Sequence, residues 1–258
     1  MMGKHIPGKD LRHCFGKENV EPRVVPPFSY QALQLNTKVK EPPRIYIFSP
    51  RPAKRTFFRT YFERGDIPVC SIGMPIKLNN PKKQFPIKWD CDPDKLDYCY
   101  YLPIFVDGLS EYDSQLRHIA QYAAMDLILR GRTKILAVLP KLILPLKRAF
   151  NTRVKRIIIG ALKVLQMMVI VAAIKWQTCQ IGPCVGQALV PYFRQLLPVC
   201  NLYKQINVNL GDGIDPDRDV RIGDVIEDTL QALERCGGPD AYINIKYMIP
   251  TYESCMMN

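Results

Sequence analysis

Ile135, Leu139, Leu142, Leu146 and Ala149 step along the chain by four, three, four and three residues, and Leu136, Ile143 and Phe150 widen the stripe. That is the period of an α-helix with one wide apolar face, which must be covered by another element. Patterns of the same kind run from about residue 95 onward. They predict helices over 95–109, 113–130, 134–150, 153–174, 184–206, 222–236 and 239–248. An echo punctuates them. Leu102–Pro103, Leu139–Pro140 and Val190–Pro191 each open or interrupt an apolar helix, at spacings of 37 and 51 residues. Those spacings bracket the roughly 40–47 residue period of armadillo and HEAT repeats, in which each helix pair is covered only by its neighbour. The expected fold class is all-α, an armadillo/HEAT-like α-solenoid, with an irregular helical bundle as the alternative.

The first part of the chain is different in kind. Residues 1–53 carry Pro7, Pro22, Pro26, Pro27, Pro42, Pro43, Pro50 and Pro52 and no sustained apolar period. Proline removes backbone donors and biases the preceding residue toward extended geometry. The segment therefore reads as an extended arm, and 54–258 as the helical-repeat domain. Phe28, Tyr30, Leu33, Leu35, Ile45, Tyr46, Ile47 and Phe48 lie within the arm, more than a solvating linker needs and suited to an arm that docks on a partner. Phe57, Phe58, Tyr61 and Phe62 predict a short helix stopped by Gly65 and Pro68. Within 68–91, Asn79–Asn80–Pro81 between two short apolar runs predicts a β-hairpin.

Composition narrows the partners. The net charge is +12, and residues 1–64 hold thirteen Lys/Arg against five Asp/Glu, a net of +8. Lys147, Arg148, Arg153, Lys155 and Arg156 form a second basic cluster at a helix–helix turn. Either run could be a solvated face, but both add like charge to an already basic chain, which favours an acidic partner surface. The alternatives are a general protein–protein scaffold and, on charge alone, a nucleic-acid binder. No RRM, KH or zinc-finger pattern supports it, and no nucleic acid is expected.

Catalytic and metal chemistry find little foothold. Only His5, His13 and His118 are present, and His118 has no carboxylate or second histidine at ligand spacing. Cys179 and Cys184 form a C-x4-C pair without a second pair to complete a zinc site. Asp212, Asp215, Asp217 and Asp219 crowd a glycine-containing loop. Glu227 is out of register for an EF-hand, which leaves a weak calcium reading beside that of a solvated capping loop. P-loop, dinucleotide and nucleophile-elbow motifs are absent from the sequence. No enzyme activity and no cofactor are expected. The nine cysteines and the polar start, which shows no secretory signal, read as reduced thiols in the cytoplasm. The apolar run 157–174 contains Lys163 and Gln166, so it reads as a buried helix and no membrane partner is expected.

Longer strings carry a resemblance. T-F-F-R-T-Y-F-E-R-G-D-I-P (56–68), K-L-D-Y-C-Y-Y-L-P-I-F-V-D-G-L-S-E (95–111) and K-I-L-A-V-L-P-K-L-I-L-P-L-K-R-A-F-N (134–151) come first. L-K-V-L-Q (162–166), V-G-Q-A-L-V-P-Y-F-R-Q-L-L-P-V (185–199), N-V-N-L-G-D-G-I-D (207–215) and the end Y-I-N-I-K-Y-M-I-P-T-Y-E-S-C-M-M-N (242–258) follow in order. Together they resemble the Parkin co-regulated gene protein family of ciliary and flagellar microtubule proteins. Residues 1–53 and the 70–91 region diverge, and 174–184 reads as an insertion. The resemblance implies a helical-repeat fold and a structural role at the inner junction of axonemal doublet microtubules, bridging B-tubule to A-tubule for ciliary and flagellar motility. The implied partners are α-tubulin, β-tubulin, a small β-sandwich inner-junction protein and other microtubule inner proteins. Tubulin surfaces are acidic, so Lys38, Lys40, Arg44, Arg51, Lys54, Arg55, Arg59, Lys147, Arg148, Arg153, Lys155 and Arg156 are the candidate tubulin contacts. Asp212, Asp215, Asp217, Asp219, Tyr247 and Tyr252 are the candidate contacts to the neighbouring protein.

Overall fold

The computed structural model describes residues 21–41, 46–51, 55–72, 87–131, 134–179, 185–205 and 221–256. The chain forms two compact units, residues 1–47 and 48–258.

The first unit is not wholly irregular. Strand β1 (Arg23–Val25) pairs in parallel with β2 (Thr37–Val39), Arg23 opposite Thr37 and Val25 opposite Val39. A single 3-10 turn, Tyr30–Leu33, lies between them. A parallel pair needs a crossover, and the chain achieves it in a few residues by bending at Phe28 and Asn36, both at positive φ (65° and 59°). Val25 is buried, whereas Phe28, Tyr30, Leu33 and Leu35 are exposed.

The second unit begins with α1 (Phe57–Arg64). Thr56 caps it by accepting a hydrogen bond from the Arg59 amide, and Gly65 ends it at φ 78°. The predicted hairpin follows. β3 (Val69–Ile72) pairs antiparallel with β4 (Ile87–Trp89), with Val69 opposite Trp89 and Ile72 opposite Ile87. The Asn79–Asn80–Pro81 cluster lies outside the described residues. Trp89 ties the hairpin to the helices by donating from Nε1 to Asp126 at 2.7 Å.

The remaining elements are helices: α2 (Tyr98–Asp107), α3 (Ser114–Gly131), α4 (Lys134–Asn151), α5 (Lys155–Cys179), α6 (Val185–Leu189), α7 (Phe193–Leu196), α8 (Pro198–Tyr203), α9 (Ile222–Gly237) and α10 (Ala241–Met248). α2 packs on α3 and α4, α3 and α4 on α5, and α5 on α6 and α9, while α9 carries α10. Each helix is thus covered by its near neighbours in sequence, the arrangement of an all-α, solenoid-like fold with a small β element. The predicted stripe of α4 is the core, for Ile135, Leu139, Leu142, Leu146 and Ala149 are all buried.

One departure from the expected helices has its cause in proline. The single helix expected over 184–206 is α6, a 3-10 turn (Val190–Tyr192), α7 and α8. Pro191 and Pro198 each stand in the first turn of a new segment, where their missing N–H costs nothing. Pro103 instead sits inside α2. It strips the partner from the Cys99 carbonyl, and the Lys141 ammonium from α4 reaches that oxygen at 3.5 Å.

α5 extends to Cys179, so the first residues of the 174–184 segment continue a helix. Among the described residues, no helix is long and apolar enough to cross a membrane. Gln166 explains the polar break in α5. It donates to Thr229 Oγ1 at 2.8 Å and to the Val225 carbonyl at 3.2 Å, joining α5 to α9.

The C-terminal segment is fastened by one carboxylate. Glu234 on α9 is buried, and accepts from Tyr252 Oη at 2.6 Å, from the Cys255 amide at 3.0 Å and from Ser254 Oγ. Burial pushes its carboxyl up, but the bonds from Ser254, Tyr252 and Cys255 outweigh that and hold it down at about 2, from 4.5.

Candidate functional site

The turn between α4 and α5 holds the densest basic feature of the helical unit. Its shape is fixed locally. Thr152 Oγ1 donates to the Ala149 carbonyl at 2.7 Å, and the chain then turns through Arg153 at φ 57°. A non-glycine residue in that region needs outside support. Tyr203 provides it, donating from Oη to the Arg153 carbonyl at 3.0 Å. Phe48 stacks edge-on against Tyr203 with centroids 5.6 Å apart.

Residues just after the arm are anchored here too. The Arg51 amide donates to the Thr152 carbonyl at 3.0 Å, and Tyr112 Oη donates to the Arg51 carbonyl at 2.7 Å. Phe48 and Arg51 therefore belong to the helical unit, although the sequence reading drew the arm to residue 53. The fold thereby brings Arg51 beside the 147–156 cluster, a proximity that nothing in the linear spacing signals. Arg51, Arg148, Lys155 and Arg156 are exposed there, and Lys147 and Arg153 are half-buried.

Not every candidate cation is equally available to a partner. Arg148 is held by Asp107 at 3.1 Å, and the same carboxylate accepts from the Phe57 amide at 2.8 Å. Arg59 faces Glu63 at 3.6 Å and Glu111 at 3.7 Å, and Arg55 pairs with Glu63. These three tie α1 to its surroundings, though the exposed pairs add at most about 1 kcal/mol each. Lys38 and Lys40 are exposed in the first unit. Arg44 and Lys54 lie outside the described residues, as do Asp212, Asp215, Asp217 and Asp219.

Of the two tyrosines, Tyr247 is 73% exposed and lies under Arg194, whose guanidinium is 5.7 Å from the ring. Tyr252 is a correction. It is fully buried, its hydroxyl spent on Glu234 and its ring covered by Lys204. Its place in the Y-E-S-C end of the chain gave no sign of this, because the partner carboxylate lies on α9. Among the described residues, no group of three or more His, Cys, Asp or Glu could hold a metal ion. Cys184 is outside them.

A profile of the Parkin co-regulated protein family matches residues 56–254. The chain belongs to that family. The Parkin coregulated gene protein homolog of Mus musculus is 46% identical over 233 residues, which is 90% of each chain. The family match spans the helical unit almost end to end, the α4–α5 corner included, and starts just after Arg51.

Proposed function

We propose that this protein is a structural, non-catalytic microtubule-binding protein of the axonemal doublet inner junction, linking B-tubule to A-tubule. Its residence would be the cytoskeleton of cilia and flagella, and its partners α- and β-tubulin, a small β-sandwich inner-junction protein and other microtubule inner proteins. The observation that carries this reading is the family match through residues 56–254, which takes in the α4–α5 turn of the basic corner but not Arg51. The corner's chemistry supports it: Arg51, Lys155 and Arg156 are exposed on a turn locked by Thr152 and Tyr203. Rigid placement of cations suits a flat acidic wall. The arm adds exposed Lys38 and Lys40 beside exposed Phe28, Tyr30 and Leu35.

Co-sedimentation with stabilised microtubules tests the reading. Full-length protein is expected to pellet. Deletion of 1–47 leaves Phe48 and Arg51 in place and is expected to weaken binding by about tenfold. Charge reversal of Lys147, Lys155 and Arg156 is expected to weaken it by a similar factor. Equal pelleting of all three forms would remove both basic features from the interface, and no pelleting of the full chain would end the reading.

A further inference from the structure

A cleft of about 250 Å³ opens between α3 and α5, lined by Ser114, Arg117, His118, Gln121, Tyr122, Arg156, Ile159, Gly160 and Lys163. None of these lining residues is acidic. Arg117 is its fixed charge. It is 7% exposed, and its Nη1 donates to the carbonyls of Glu111 at 3.2 Å and Tyr112 at 3.3 Å. A buried guanidinium oriented by carbonyls keeps its full charge and raises the potential of the space beside it.

The acids nearest in sequence face elsewhere. The Asp113 carboxylate caps α3 through the Gln115 amide at 2.9 Å, and the Glu111 carboxylate is bound to Thr56 and faces Arg59. Arg156 and Lys163 stand two turns apart on α5, so the positive charge runs along the cleft and is not gathered at one point. The wall is not purely polar. The His118 and Tyr122 rings stack with centroids 6.1 Å apart, and Ile159 adds an aliphatic contact.

We infer that this cleft is a docking site for an acidic peptide segment of a partner protein, its carboxylates set along Arg156, Arg117 and Lys163. Charge spread along a trough with an aromatic and aliphatic wall suits a chain bearing successive carboxylates better than a single compact anion. The site needs only a carboxylate-bearing partner, so it does not depend on the microtubule reading.

Fluorescence anisotropy with a fluorescein-labelled octaglutamate peptide tests it on the full-length protein. Binding is expected, with octaglutamine at least about tenfold weaker. Arg156→Glu with Lys163→Glu is expected to weaken octaglutamate by about tenfold. Lys88→Glu with Lys95→Glu changes the net charge equally outside the cleft and is expected to cost less than about twofold. Arg156→Gln with Lys163→Gln, checked for an unchanged melting curve, guards against a folding defect. Equal losses in the two charge-reversed proteins, or no binding of octaglutamate, would overturn the proposal. So would displacement by inorganic phosphate or phosphatidylserine vesicles at lower concentration than by unlabelled octaglutamate, which would make the cleft a phosphate or lipid site.

Discussion

Glu234→Ala is expected to destabilise the helical unit by about 3 kcal/mol, lowering the melting temperature by roughly 6–12 °C. The substitution removes one carboxylate but strands four donors, the Tyr252 hydroxyl, the Ser254 hydroxyl, and the amide and thiol of Cys255. Tyr252 is 0% exposed, so its hydroxyl cannot turn to water without withdrawing the ring from the core. A buried polar group left without a partner loses more than the net worth of the bond. Tyr252→Phe keeps the ring and removes one donor, and should cost only about 1 kcal/mol.

The same carboxylate makes stability depend on acid. Its folded value of about 2 lies below the ordinary 4.5. A carboxyl depressed in the folded state adds stability that is complete above its unfolded value and lost as pH falls toward the folded one. Stability against urea should therefore fall between pH 4.5 and about 2, the Glu234 contribution being about 3 kcal/mol. In Glu234→Gln that part of the acid slope should vanish. A wild-type and Glu234→Gln protein with the same acid slope would show that the latch does not form.

This latch also shows what the sequence could and could not disclose. The apolar stripe of α4 was legible because period and burial are the same fact, and Gly65 was legible as a stop because the left-handed position it fills has few other occupants. Glu234 was not. On α9 it sits among Asp224, Glu227, Asp228 and Arg235, where a glutamate ordinarily faces water, and the three residues that donate to it lie some twenty positions downstream. The anchoring of Arg51 at the α4–α5 turn and the α3–α5 cleft are hidden for the same reason, since each joins residues about forty or a hundred positions apart. The broken 184–206 segment is a different failure. Its prolines are plain in the sequence, but apolar period alone does not say whether a proline kinks one helix or starts the next. The opening geometry at Val190–Tyr192 decides that.

Gly186→Ala should be strongly destabilising. In an exposed helix the change would stabilise by up to about 1 kcal/mol, because alanine loses less backbone entropy. At Gly186 the sign reverses. A Cβ there would lie 2.3 Å from the Cys236 carbonyl oxygen and 2.6 Å from its carbonyl carbon. The obstacle is the backbone of the last turn of α9, so no rotamer change relieves it. α6 and α9 would have to move apart, opening the core where Leu189 and Leu233 are buried. Overpacking of that kind costs about 2–3 kcal/mol, or roughly 4–12 °C in melting temperature. Gly65→Ala separates this from a general intolerance of glycine loss. Gly65 has φ 78° and nothing within 4 Å of its added methyl, so only backbone strain of about 1 kcal/mol applies. Thermal unfolding of the two variants should place Gly186→Ala well below Gly65→Ala. The reverse order would mean that α6 does not close on α9 as tightly as the 2.3 Å approach requires.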